Sequence, residues 1–454
     1  MTARSAGRSP TLGFWMCTAL VVGNMVGSGI FLLPATLAPY GSISIVGWMF
    51  TSLGAICLAL VFAKLASLVP KAGGPYAYTR EGFGDFAGFW IAWGYWIAIW
   101  SGNAAVAVAF VSYLTVFFPA LKGHLWLAGL VGLGVVWSTT WINCRGVKQA
   151  GTTQLITAIL KLLPLIAIAT LGLLWVDTAN LTPINPSGEP VHSALAATAA
   201  LTLWSFLGLE SATVPAGDVE NPTRTIPRAT LFGTVLAALV YILGMTTVMG
   251  VVPTEELARS NAPFSVAAAY MWGPWAYYAV AVGAVVSCLG TINGFTLLQG
   301  QVPAAAAQDG LFPRRFGIIS ERGVPAYGLI ASSIFITILL MMNYSGSRGM
   351  VEIFVFIILL ATLTTLMPYA FCAMAELVIL VRDPERFRGQ RLFGSGVIAA
   401  VAFVYSVWTV YGSGAEIVLW GFILLLLGIP VYVWMQRENA GERTLTAMKM
   451  TEKD

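Results

Sequence analysis

Twelve long apolar segments run along almost the whole chain, and they constrain its fold more than any other feature. A helix needs about 20 predominantly apolar residues to cross a bilayer. By that rule the sequence predicts twelve transmembrane helices, near residues 11–38, 43–67, 86–118, 125–144, 151–176, 194–216, 229–250, 265–300, 327–343, 351–380, 394–412 and 416–436. Only 10% of the residues are charged, against about 25% in soluble proteins. We therefore expect an all-α polytopic membrane protein in a lipid bilayer, with no soluble domain between its helices.

The basic residues predict the orientation, because Lys and Arg are enriched on the cytoplasmic side of a membrane. With the N-terminus inside, 20 of the 24 Lys and Arg residues fall on the cytoplasmic side. Only Lys122, Arg259 and Arg348 fall outside. We expect both termini to be cytoplasmic and the number of spans to be even. The net charge of +4 is explained by these loops and does not indicate a nucleic-acid partner.

The first segment contains a polar, glycine-rich patch, "GNMVGSGIF" (23–31), where a membrane helix should be most regular. Each glycine weakens a helix by about 1 kcal/mol relative to alanine. The sixth segment has a similar interruption around residues 204–211. Transporters built from inverted repeats place their substrate sites at such interrupted helices. Close helix packing by small residues is the alternative interpretation of the first patch.

An unwound turn at these positions would expose backbone groups that suit an α-amino acid. The N–H groups at the start of a half-helix attract a carboxylate, and freed carbonyl groups accept hydrogen bonds from an ammonium group. Gly27 and Gly29 would let a ligand approach the backbone closely, and Ser28 adds a hydroxyl donor. The sequence thus predicts a small-molecule site between the first and sixth segments.

Two ionisable residues, Glu210 and Lys161, lie well inside predicted segments. Such residues cost several kcal/mol unless they are paired or neutralised, so they are functional candidates by default. We expect Glu210 to carry or sense protons, and Lys161 to titrate or to act as a fixed cation. A structural ion pair or a snorkelling side chain is the alternative for each. Asn103 and Trp204 are polar and aromatic candidates for ligand contact.

Five motifs, taken together and in this order, resemble those of the amino acid–polyamine–organocation transporters. They are "GNMVGSGIFLLP" (23–34), "GGPYAY" (73–78), "LWSFLGLESA" (203–212), "VENP" (219–222) and "AAAQDGLFP" (305–313). Within this superfamily they are most similar to the bacterial arginine/agmatine antiporters and their basic amino acid/polyamine relatives. The resemblance implies twelve helices, a five-plus-five inverted repeat with interrupted helices 1 and 6, an inner-membrane location and, in many members, a homodimer.

The resemblance also implies roles for individual residues. The substrate-binding set is Asn24, Gly27, Ser28, Gly29, Asn103, Trp204, Leu207 and Phe295, in which the first four hold a carboxylate. The gating set is Tyr95, Trp204, Glu210, Phe295 and Tyr369. Phe295 replaces a gate tryptophan of the arginine/agmatine antiporters, and Val106 and Ala361 replace a methionine and a serine of their pocket. Lys161 instead resembles a lysine of proton-coupled amino acid permeases.

These observations favour a secondary amino acid transporter, an amino acid/polyamine antiporter of arginine/agmatine type working by alternating access. The alternative is a proton-coupled amino acid symporter that uses Lys161.

An enzyme is disfavoured, because His124 and His192 lie in predicted external loops without catalytic partners, and we expect no cofactor and no metal site. The five cysteines are interpreted as small buried hydrophobic residues. We expect one transporter domain over 1–454, with repeats at 11–176 and 194–380, two further helices at 394–436 and a cytoplasmic tail at 437–454.

Overall fold

The structure, a computed structural model, describes residues 12–344, 349–382 and 392–437, and in these ranges it consists of α-helices, short 3-10 helices and loops. The helices of the first part of the chain are α1 (Phe14–Met25), α2 (Ser28–Leu37), α3 (Ile43–Leu68), α4 (Pro75–Phe83), α5 (Asp85–Leu114), α6 (Ala120–Gly123), α7 (Leu125–Asn143) and α8 (Val147–Thr170). Those of the remainder are α9 (Val191–Leu203), α10 (Pro222–Val251), α11 (Thr254–Ala258), α12 (Pro263–Trp272), α13 (Pro274–Gln308), α14 (Ala326–Tyr344), α15 (Met350–Arg382), α16 (Leu392–Gly412) and α17 (Ala415–Leu426). The basic residues before position 12 and beyond Arg437, on which part of the orientation prediction depends, lie outside the described residues.

Ten stretches of the described chain are long and apolar enough to span a bilayer. Two shorter apolar helices, Val191–Phe206 and Ala326–Met342, lie where the sixth and ninth spans were predicted. The prediction of an all-α polytopic membrane protein is confirmed. The length and composition of the helices support ten spans directly, rather than the twelve predicted from the sequence.

The eighth predicted span, 265–300, is wrong as a single helix. The chain forms α12, breaks at Gly273 and starts α13 at Pro274. Gly273 has φ +89° and ψ −176°, a conformation that only glycine adopts readily, and proline favours the first turn of a new helix. A glycine in the same conformation connects α4 to α5, where Gly84 has φ +89° and ψ −174°. Below, such a connection is called a glycine joint.

The first segment is interrupted between α1 and α2, around Val26 and Gly27. The sixth predicted span, 194–216, is helical only as far as Leu203. One 3-10 turn follows at Trp204–Phe206, and the chain then continues through short 3-10 turns to Asp218. Below, the first interrupted segment means residues 14–37 and the second means residues 191–218. We find the second far more irregular than the first.

The interrupted segments lie inside the helix bundle. Phe31 in the first and Phe206 in the second are both fully buried. The long helices α5 and α13 pack against each other, and α15 packs against α5 on another side. Large apolar side chains are exposed on peripheral helices, among them Leu163, Val404 and Leu419. This distribution matches a bundle surrounded by lipid, with its polar backbone breaks protected by protein.

The cysteine prediction holds for three residues of five. Cys17, Cys288 and Cys372 are buried, whereas Cys57 and Cys144 are only partly buried.

Candidate functional site

The two interrupted segments face each other and are joined by side-chain hydrogen bonds. The indole N–H of Trp204 donates to Ser28 Oγ over 3.2 Å. Asn24 Nδ2 donates to Ser211 Oγ over 2.8 Å. All four side chains are buried. The structure therefore brings together the two regions that the sequence predicted to form one site.

The glycines of the first patch serve close packing in this conformation. A Cβ on Gly29 would collide with Ser205 Oγ and lie 3.0 Å from Trp204 Cδ1. A Cβ on Gly27 would lie 2.8 Å from the side chain of Thr291. The space that we expected a ligand to enter is filled by protein side chains, because the two segments approach each other directly. Helix packing and ligand binding are thus not exclusive interpretations of this patch.

The carbonyl groups at the first break are bonded by protein side chains. Gly23 O accepts from Lys161 Nζ at 2.5 Å and from Thr291 Oγ1 at 3.1 Å. Val26 O accepts from Ser287 Oγ at 3.0 Å. A carbonyl in a membrane interior needs such a donor. We expected these groups to bind a ligand's ammonium, but the protein's own ammonium occupies one of them.

Lys161 is fully buried and makes no ion pair within the described residues. The alternatives of a snorkelling side chain and of a structural ion pair therefore do not describe it. Its remaining contact is with Thr291 Oγ1, at 3.3 Å. The result is a titratable amino group placed at the break in the first segment.

Glu210 joins three parts of the bundle. The hydroxyl group of Tyr95, on α5, donates to Glu210 Oε1, and that of Tyr369, on α15, donates to Oε2, each over 2.5 Å. Glu210 is only 1% exposed and has no ion-pair partner in the part of the chain described here. Three of the five residues assigned to a gate from the sequence therefore meet in one hydrogen-bonded cluster.

A small cavity lies against this cluster. Its lining includes Tyr95, Leu207, Glu210 and Phe295. Atoms of the Trp204 and Phe295 rings lie 3.1–3.3 Å from the position of a Cβ on Gly102 of α5. Leu207 and Phe295, predicted to contact the substrate, thus line one cavity with Tyr95 and Glu210 of the predicted gate, and Trp204 lies near Phe295 but outside that lining.

Asn103 lies outside this lining but on the same helix. Its Nδ2 donates to Thr296 Oγ1 at 3.0 Å and to Gln299 Oε1 at 3.1 Å, both on α13. The side chain is fully buried. Val106 and Ala361, two of the positions that differ from the arginine/agmatine pattern, are also fully buried.

Sequence reasoning missed the polar residues that complete this site. On α13 they are Thr291, Thr296 and Gln299, and on the second interrupted segment they are Ser205 and Ser211. Those on α13 recur at intervals of five and three residues in an apolar run, and such spacing keeps them near one face of a helix. That periodicity was the available signal. Among the described residues no cluster of three His, Cys, Asp or Glu side chains could hold a metal ion.

Comparison with known proteins identifies the family. Residues 12–435 match the amino acid permease family. The chain belongs to this family. Among curated relatives, this permease is 35% identical over 435 residues to the cadaverine/lysine antiporter of Escherichia coli K12, covering 94% of this chain and 96% of the relative. It is 34% identical over 429 residues to the putrescine transporter PotE of E. coli K12, covering 94% and 97%. PotE of Haemophilus influenzae is 32% identical over 428 residues, covering 94% and 97%. The predicted membership of the amino acid–polyamine–organocation superfamily is confirmed.

Proposed function

We propose that this permease is an antiporter that exchanges a basic amino acid for a polyamine by alternating access. The observation that carries the proposal is the start of α2. No described side chain caps this helix at Gly27, so its first N–H groups can bind a carboxylate once the segments move apart enough to admit it. Ser28 and Trp204 stand beside them, bonded to each other. The names of two relatives, a cadaverine/lysine antiporter and a putrescine transporter, supply the substrate class.

The proposed roles follow the positions of the side chains. The carboxylate binds at residues 24–29, where Gly27, Ser28 and Gly29 begin α2. Trp204 and Phe295 close over the aliphatic part of the substrate, beside Leu207. Asn103 contacts its distal amine. The cluster of Glu210 with its two tyrosines forms the gate and responds to protons.

We further propose that the chain has twelve spans arranged as two inverted repeats of five, followed by α16 and α17. The two shorter apolar helices, Val191–Phe206 and Ala326–Met342, are then the sixth and ninth spans in chain order, and they raise the total from ten to twelve. Two features recur in matching places in the repeats. Each repeat opens with an interrupted segment, and each places a short helix and a glycine joint, at Gly84 or Gly273, before its third long helix. The proposed setting is a bacterial inner membrane with cytoplasmic termini and a homodimeric assembly.

Counterflow in proteoliposomes tests the exchange. Vesicles holding cadaverine, putrescine or agmatine should take up labelled lysine, ornithine or arginine at least about tenfold faster than empty vesicles. Vesicles loaded with neutral norleucine serve as the control for nonspecific effects of internal solute. Uptake that is equally fast in empty vesicles would contradict exchange.

The position of Lys161 favours a second candidate, proton-coupled amino acid symport. Its ammonium bonds to Gly23 O at the first break, so loss of its proton would directly alter the first interrupted segment. Symport predicts uptake into empty vesicles when protons flow inward. It also predicts that Lys161→Met abolishes this dependence, whereas Lys64→Met, at the end of α3, preserves it. If Lys161→Met leaves the proton dependence intact, Lys161 is not the coupling group.

A further inference from the structure

One buried acceptor at the proposed site has no hydrogen-bond partner among the described residues. Asn103 is fully buried, and both of its amide hydrogens are used in bonds to Thr296 and Gln299. Its Oδ1 atom accepts no hydrogen bond from that part of the chain. An unsatisfied buried acceptor is destabilising and calls for an explanation. A ligand that donates to this oxygen provides one.

The direction of the Asn103 amide is determined by a chain of bonds that ends on a backbone carbonyl. Leu329 O can only accept, and the Nε2 of Gln299 faces it in a long contact of 3.5 Å. The same Nε2 also lies 3.4 Å from Ser333 Oγ. Gln299 Oε1 therefore faces the other way and accepts from Asn103 Nδ2. This in turn leaves Asn103 Oδ1, and not its NH₂ group, without a partner.

The orphan oxygen belongs to the face of α5 that borders the candidate site. Tyr95 and Ile99 line the small cavity, and Asn103 follows Ile99 by four residues, which places it on the same helical face. Gly102, its neighbour, lies beneath the rings of Trp204 and Phe295. Asn103, which carries the unpaired oxygen, thus lies one helical turn along α5 from Ile99 in the cavity wall.

We propose that Gln299 is a positioning residue that holds Asn103 with its oxygen presented to the distal end of the substrate. This arrangement selects an N–H donor at that end, such as an ammonium or guanidinium group. A substrate with a neutral aliphatic end leaves the Asn103 oxygen unpaired. A substrate that ends in a carboxylate places a second acceptor next to that oxygen. The inference rests on the proposed function and adds the residue that determines its preference for cationic side chains.

Competition binding with two matched ligand pairs tests the role of Gln299. Norleucine is lysine without its ε-amino group, and norvaline relates to ornithine in the same way. The purified protein should prefer the diamino acid of a pair by at least about 100-fold. Gln299→Leu should reduce that ratio at least about tenfold, because the Asn103 amide is then free to turn. A loss of positioning should change the ratio of the two affinities, whereas general damage to the protein would weaken the binding of both ligands equally.

Two further variants separate positioning from structure. Gln299→Glu in its neutral form can still accept from Asn103 and donate to Leu329 O, so it should keep most of the preference even if Gln299→Leu folds poorly. Ser332→Ala is the matched control, since Ser332 bonds to the backbone oxygen of Gln299 and not to its amide. It should leave the ratio unchanged. An unchanged ratio in folded Gln299→Leu, or loss of the ratio in folded Gln299→Glu, overturns the positioning role. If the unmodified protein binds none of the four ligands, the proposed function itself fails.

Discussion

At the scale of single residues, Glu210 is the most constrained side chain of the site. Each of its two oxygens accepts one tyrosine hydroxyl, and the donors come from α5 and α15. A hydrogen bond contributes about 0.5–1.5 kcal/mol to stability between neutral groups and about 1.5–3 kcal/mol when one group is charged. The pair of tyrosines therefore keeps two long helices attached to the second interrupted segment.

We predict that Tyr95→Phe and Tyr369→Phe each lower the free energy of unfolding by about 1–3 kcal/mol and slow exchange. Each variant removes one tyrosine hydroxyl group, so one oxygen of Glu210 loses its hydrogen-bond donor. Thermal unfolding in detergent and counterflow rates measure the two effects. Tyr344→Phe is the control, because that hydroxyl group is buried without a hydrogen-bond partner among the described residues. Equal stability of Tyr369→Phe and Tyr344→Phe would contradict this account.

Residue-level prediction from sequence was most specific where a motif defined the position. Tyr95, Glu210 and Tyr369 were assigned to one gate by resemblance, and the structure places them in contact. The contacts of Lys161 could not be predicted from a motif, because its acceptor, Gly23 O, is a backbone atom that only the break in the helix makes free to bond. Gln299 was missed because its amide acts on Asn103 and has no motif of its own.

At the scale of elements, the join between the interrupted segments depends on the absence of a side chain at Gly29. We predict that Gly29→Ala lowers the thermal unfolding temperature and weakens substrate binding at least about tenfold, because the new Cβ displaces Ser205 or Trp204. Gly134→Ala on α7 is the control. Nothing lies within 4 Å of its added Cβ, and alanine favours a helix by about 0.5–1 kcal/mol. Wild-type binding by folded Gly29→Ala would show that this close approach is dispensable.

The element boundaries show what hydropathy can and cannot predict. The second predicted span, 43–67, matches α3 to within one residue, because Ser42 precedes the apolar run and Pro70 and Lys71 follow it. The eighth failed because the apolar run continues through Gly273. Hydropathy carries no information about backbone angles, and the signal for the turn was instead the dipeptide Gly273–Pro274.

At the scale of the whole molecule, a polar cluster joins α4 to the end of α13. Arg80 forms ion pairs with Asp309 at 2.7 Å and with Asp85 at 2.8 Å. The hydroxyl group of Tyr76 donates to Asp309 over 2.8 Å. Burial and this bond raise the pKa of Tyr76 above its ordinary value, so the phenol remains a donor near neutral pH. The cluster ties α4 to the end of α13, and we expect it to resist opening at this end of the bundle.

We predict that Arg80→Gln accelerates labelling of Cys372 by a thiol reagent about fivefold, since partly exposed ion pairs contribute up to about 1 kcal/mol. Cys372 is buried against α4, where its Sγ lies 3.6 Å from Pro75 O. The measurement uses a variant in which Cys372 is the single cysteine. Lys71→Gln, which breaks the exposed pair with Glu81 on the same side, should change labelling less than twofold. An unchanged rate in Arg80→Gln would refute the closing role of the cluster.

The glycine joints at Gly84 and Gly273 have a consequence for the response to salt. Helix α5, 30 residues long and therefore about 45 Å, separates the two joints. At one end, α4 is held by charged pairs. At the other, the chain around α12 is held by neutral bonds, from Ser112 Oγ to Asn261 O and from Phe264 N to the hydroxyl oxygen of Tyr113, and by one bond from the hydroxyl group of Tyr270 to Glu256 Oε2. Dissolved ions screen charges but leave neutral bonds almost unaffected. The ionic strength of the surrounding solution should therefore act most strongly at the α4 end, where the ion pairs of the described residues lie.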